Sequence, residues 1–158
     1  MLWLIFMEDI LTKKFMRIGL TLILLCSLTI LVNAQDNVEE KKMVGFGCYY
    51  AGQPTKLVIK VTEMLKDKKF KEVAELLSSE TPAEKYLSVI SLEKLVTIGK
   101  YELSETEKSL ISKARSLHKL VSVCSGCTYF DKVSLKKMLA DDNFIGSKFW
   151  LDEVLEIE

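Results

Sequence analysis

The chain has 158 residues, is 49% hydrophobic and 28% charged, and carries only 2 Pro and 7 Gly, which excludes a collagen-like, Pro-rich or disordered polymer. Its 22 basic side chains balance 22 acidic ones. A chain this neutral lacks the basic field that neutralises phosphates, so nucleic-acid binding is excluded as a general role.

The N-terminus reads as an export signal. Lys13, Lys14 and Arg17 precede an uncharged apolar run at residues 18–32, and Val32-Asn33-Ala34 ends in a small residue before Gln35. That run is shorter than the roughly 20 residues a membrane span needs, so cleavage after Ala34 is expected, with Met7 or Met16 as alternative starts. Residues 1–34 are therefore set aside as signal peptide, and membrane contact is expected only if that segment stays uncleaved. Cys26 leaves with it, and the remaining 124 residues, enough for one domain, carry 19 basic and 20 acidic side chains.

Residues 35–44 are polar and charged and read as a flexible lead-in to a single helical domain at 45–158. Gly45-Phe46-Gly47-Cys48-Tyr49-Tyr50-Ala51-Gly52 cannot hold a regular helix, because each Gly costs about 1 kcal/mol there relative to Ala. From Pro54 the period turns helical: Leu57, Val58, Val61, Met64 and Leu65 form one stripe. Phe70, Val73, Ala74 and Leu77 form a second, and the short link around Lys66-Asp67-Lys68-Lys69 predicts an antiparallel hairpin.

Thr81-Pro82-Ala83-Glu84 has the form of a capping box opening a helix over 82–98. Its apolar residues, among them Tyr86, Leu87, Ile90, Leu92 and Leu95, cover more than half the circumference, which predicts a central helix with Glu84, Ser88 and Ser91 on a narrow polar strip. Ser104-Glu105-Thr106-Glu107 is a second capping box, and the single stripe Leu110, Ile111, Ala114, Leu117 predicts a peripheral helix. Leu120 to Val123 alternates only weakly. Two short helices, at 132–140 and 147–156, are expected to finish the chain, the latter anchored by Phe149, Trp150 and Val154. No pair of β-branched runs flanks a two-residue turn, so the expected fold is all-α: five or six short antiparallel helices. Such pairs are also the unit of an α-solenoid, although no residues repeat at a spacing of about 35 to 45.

Chemistry concentrates on three cysteines. Cys124-x-x-Cys127 has the spacing of a thiol–disulfide redox pair, but no strand–helix–strand unit precedes it. Cys48, Cys124, Cys127 and His118 together would supply the four soft ligands of a structural zinc, although only one pair has ligand spacing. A structural disulfide between Cys48 and either Cys124 or Cys127 fits an oxidising compartment better, leaving the third cysteine as a thiol. Phe46, Tyr49, Tyr50, Tyr129 and Phe130 flank these cysteines on both segments, so their meeting predicts an aromatic cluster, serving as a satellite core or, failing that, a recognition surface. No Gly-x-Ser-x-Gly, phosphate-binding loop or His-Glu-x-x-His occurs, and no cofactor is expected. The sequence thus points to an exported (periplasmic or secreted) non-enzymatic domain with a structural or protein-binding role. Redox or metal chemistry at the same cysteines is the alternative.

Overall fold

The computed structural model describes residues 42–156. The expected export signal, its cleavage site and residues 35–41 of the lead-in lie outside the described residues. In chain order the elements are β1 (Met43–Val44), α1 (Lys56–Lys66), α2 (Phe70–Glu75), α3 (Pro82–Thr97), α4 (Glu105–Ser116), β2 (Leu120–Ser125), β3 (Tyr129–Ser134), α5 (Leu135–Met138) and α6 (Ser147–Val154). Short 3₁₀ turns at Leu76–Ser78 and Phe144–Gly146 precede α3 and α6.

The all-α expectation is overturned by a three-stranded mixed sheet of order β1-β2-β3. β2 pairs antiparallel with β3, from Leu120 opposite Ser134 to Ser125 opposite Tyr129, and parallel with β1, Met43 opposite Ser122. Three physical features hid it. β1 is two residues long, too short for a pattern, and took the last positions of the segment read as lead-in, yet Met43 and Val44 are both buried. In β3 the first four residues are exposed, so no inside–outside alternation marks the strand. The hairpin closes through three residues, 126–128, with Gly126 at φ +61°, rather than through a two-residue turn. The helix expected at 132–140 therefore shrinks to α5, where Leu135, Met138 and Leu139 keep helical spacing and the Ser134 hydroxyl accepts from the Lys137 amide.

The helical readings hold elsewhere, with local corrections. α1 buries Leu57, Val58, Val61 and Leu65. α3 is the central element, burying Tyr86, Leu87, Val89, Leu92 and Leu95. Its polar strip is not at the surface along its length: Ser88 and Ser91 are both fully buried, and the Ser88 hydroxyl donates to the Val73 carbonyl on α2 at 2.6 Å, which satisfies that buried oxygen. Ile90, conversely, is only half-buried. Thr81 makes no side-chain cap; Ser79 instead accepts from the Thr81 amide at 3.0 Å, the bond expected of Glu84, and donates to Glu84. The second capping box is present, with the Ser104 amide donating to Glu107 at 2.7 Å and the Glu107 amide to Ser104 at 3.3 Å.

Polar contacts clamp the helices to one another. Arg115 donates to both Glu93 carboxylate oxygens at 2.7 Å and to the Leu139 carbonyl at 2.8 Å, joining α4, α3 and the end of α5. Lys94 meets Asp152 at 2.6 Å, joining α3 to α6. Trp150 and Val154 are buried anchors of α6, as expected, with the Trp150 indole donating to Thr62 on α1 at 2.9 Å. Phe149 is not an anchor, since it is 71% exposed. Among the described residues no helix is long and apolar enough to cross a membrane.

Candidate functional site: a disulfide-tied aromatic tip

β1 delivers the glycine-rich segment alongside the far end of β2. Past Val44 the chain bends at Phe46 and Gly47 and reaches Cys48, which bridges in parallel to Gly126 and antiparallel to Gln53. Cys48 and Gln53 exchange both main-chain bonds, at 2.8 and 2.9 Å, and so close a small loop over residues 49–52. Tyr49 at φ 62° and Gly52 at φ 62° occupy left-handed positions in it. This loop is laced to the β2–β3 turn by the Tyr49 amide on the Gly126 carbonyl, 3.0 Å, and the Gly126 amide on the Gly47 carbonyl, 2.8 Å. At its base the buried Thr55 donates its hydroxyl to the Met43 carbonyl and its amide to the Gly45 carbonyl, at 2.8 and 2.9 Å.

A disulfide joins Cys48 to Cys124, with Cα atoms 5.7 Å apart and a sequence separation of 76. Both residues are fully buried and, with Met43, make a small cluster separate from the main core. Loop closure of that length removes about 4 to 5 kcal/mol of unfolded-state entropy in the chain-entropy model. The disulfide also explains Gly45, which sequence reasoning had treated only as a loop former. A Cβ on it would collide with both disulfide sulfurs and stand 2.8 Å from the Cys124 carbonyl oxygen. Only a glycine lets the backbone cross the sulfurs this closely. The sequence signal was there, a glycine three residues before a cysteine, but nothing in it said that the crossing partner was Cys124. A disulfide is consistent with an oxidising compartment.

Cys127 remains a thiol and is exposed, its Sγ 3.8 Å from the Tyr49 carbonyl oxygen. His118 is not brought to the cysteines: it is exposed and lies before the start of β2, at the opposite end of that strand from Cys124. With two of the sulfurs joined to each other, the four-ligand set is not assembled. Among the described residues no group of three or more His, Cys, Asp or Glu could hold a metal ion.

The aromatic residues divide. Phe46 turns inward, half-buried against the main core with its ring 4.9 Å from that of Trp150. Tyr49, Tyr50, Tyr129 and Phe130 instead stand at the surface, 39%, 98%, 43% and 49% exposed. The Tyr49 and Phe130 rings meet at 5.8 Å across the two loops. A satellite core was the expected use of these five residues, and for four of them the placement is a surface one. Slight desolvation and then the Asp131 carboxylate, which accepts from the Tyr129 hydroxyl at 3.4 Å, raise the Tyr129 pKa. Between them, residues 47–53 and 125–130 contain no charged side chain. The result is an aromatic, hydrogen-bond-laced surface on a covalent base, with the Asp131 carboxylate at its edge. No family model, no curated protein and no solved structure matches this chain.

Proposed function

We propose that this chain is an exported, non-enzymatic domain that docks onto another protein through its aromatic tip. One observation carries the reading: four exposed aromatic side chains stand on the 49–52 loop and at the start of β3, two segments flanking a buried disulfide. Aromatic residues, Tyr above all, are enriched and charges depleted at the centre of protein interfaces. A tip already fixed by main-chain bonds loses little entropy when a partner covers it. The pairing of Cys124 with Cys48 in a buried bond, and not with Cys127, supports docking over thiol–disulfide catalysis by a Cys124–Cys127 pair. Export rests on Lys13, Lys14, Arg17 and the apolar run at residues 18–32, with cleavage after Ala34.

The test places a photo-crosslinking aromatic analogue at position 50 in the protein expressed in its own cells. A discrete protein adduct is expected, weakened by Phe130→Ala. The same analogue at Phe149, exposed on α6, is the control and should give none. Equal labelling at the two positions, or no adduct at position 50, overturns the reading. N-terminal sequencing of the exported form should begin at Gln35.

A further inference from the structure

The three cysteines of the tip are one disulfide and one thiol held on adjacent segments, and we infer that Cys127 is the internal nucleophile of a disulfide isomerisation that converts Cys48–Cys124 into Cys48–Cys127. The inference is independent of the docking role. Cys48 lies beside Gly126 in a parallel bridge, Cys127 is the next residue, and its sulfur already rests on the carbonyl of Tyr49, the residue after Cys48.

The existing disulfide is closed to outside thiols because both its residues are fully buried. Cys127 is not excluded in the same way, being tethered three residues from Cys124 on the adjoining turn. Bringing its sulfur inward requires release of the two main-chain bonds that lace the loops, Tyr49 to Gly126 and Gly126 to Gly47. Gly47, Gly52 and Gly126 supply the backbone freedom for that movement.

The step balances without an oxidant or a reductant. Cys127 gives its proton to solvent, and its thiolate attacks Cys48 Sγ. The Cys48–Cys127 bond forms as the Cys48–Cys124 bond breaks, the electron pair leaves on Cys124 Sγ, and that sulfur takes a proton from water. One thiol and one disulfide are present before and after. The product still ties the two segments, but it moves the link from strand β2 into the turn. Tyr129 and Phe130 follow that turn directly, so the aromatic surface has two covalent forms.

Purified full-length protein is held without reductant at about pH 5 and at about pH 8.5, where a free thiol is substantially ionised. It is then quenched in acid, alkylated and mapped by proteolysis. The expected result is a Cys48–Cys127 peptide that accumulates at least about tenfold faster at the higher pH, because the thiolate sets the rate of exchange, and that reaches a level independent of protein concentration. Alkylating Cys127 in the native protein beforehand should abolish it, and Cys124→Ser should form Cys48–Cys127 directly. Cys48–Cys124 as the sole linkage of wild-type protein at both pH values overturns the inference. A Cys48–Cys127 link that grows with protein concentration, and is therefore made between chains, overturns it too.

Discussion

The helical body and the tip are stabilised in different ways. In the body, Leu87, Leu92 and Leu95 on α3 meet Leu57, Val61, Val73 and Leu77 in one continuous apolar cluster. Its stability comes from area removed from water. At the tip the buried cluster is only Met43, Cys48 and Cys124, with exposed rings around it. There the geometry rests on one covalent bond and a handful of main-chain hydrogen bonds. A region of the first kind tolerates reductant and suffers from truncation of large side chains; a region of the second kind does the opposite.

The largest effect that would break this contrast is at the disulfide. Cys48→Ser should cost about 2 to 5 kcal/mol under oxidising conditions, because it restores the freedom of the long unfolded loop. Full reduction of the unfolded wild type before refolding should erase most of the difference, and amide exchange should show the loss of protection first at residues 45–53 and 124–130. A variant as stable as wild type would mean that the tip is held by its packing. Next comes Leu92→Ala in the body, expected to cost about 2 to 5 kcal/mol by opening a cavity, with a melting-temperature loss unaffected by reductant. Ser88→Ala on the same helix should cost about 1 kcal/mol, since it deprives a buried carbonyl of a hydroxyl partner.

Gly45→Ala joins the two mechanisms, because the added carbon meets both disulfide sulfurs. It should destabilise oxidised protein by about 1 to 3 kcal/mol. In a Cys48→Ser, Cys124→Ser background, where the smaller oxygens are not bonded to each other, the loss should fall by at least half. Urea denaturation of the four proteins gives this coupling directly. Additive losses would show that Gly45 is needed for its backbone alone.

What the sequence revealed follows the same division. Helical spacing of large apolar residues is a local signal of burial, so Leu57 to Leu65 and Tyr86 to Leu95 could be read without knowing what they pack against. Ser88 shows where that logic stops: a small hydroxyl looks solvated until the partner carbonyl, fifteen residues away in sequence, is in place. β3 fails for the opposite reason, since an edge strand that buries only Val133 carries no alternation to find. Cysteine count and flanking glycines predicted a link from Cys48 to the far segment, but choosing Cys124 over Cys127 needed the placement of β1 and the Cys48 segment against β2. The aromatic residues were found as a group, and only the fold could show that Phe46 turns inward while Tyr50 does not.

The smallest expected effect tests the body at its periphery. Burial alone would raise the Glu107 pKa, but hydrogen bonds from the Ser104 amide, the Tyr101 hydroxyl and the Ser104 hydroxyl outweigh it and hold the carboxyl below its ordinary value. Tyr101 stays a donor throughout, because burial and then the Glu107 bond push its own pKa up to about 12. A carboxyl whose folded pKa is depressed contributes stability that is fully present above its unfolded value, 4.5, and is lost as pH falls through the folded value. Glu107→Gln keeps an acceptor for the Ser104 amide but removes the charge at the start of α4. It should therefore cost only about 0.5 kcal/mol at neutral pH. The melting-temperature gap between wild type and variant should stay constant down to about pH 4.5 and close below it. A gap that persists at pH 3 would assign the effect to side-chain packing against Tyr101 and not to the carboxylate's charge. A gap that opens only in acid would reverse the sign and remove the capping box from the account of how α4 begins.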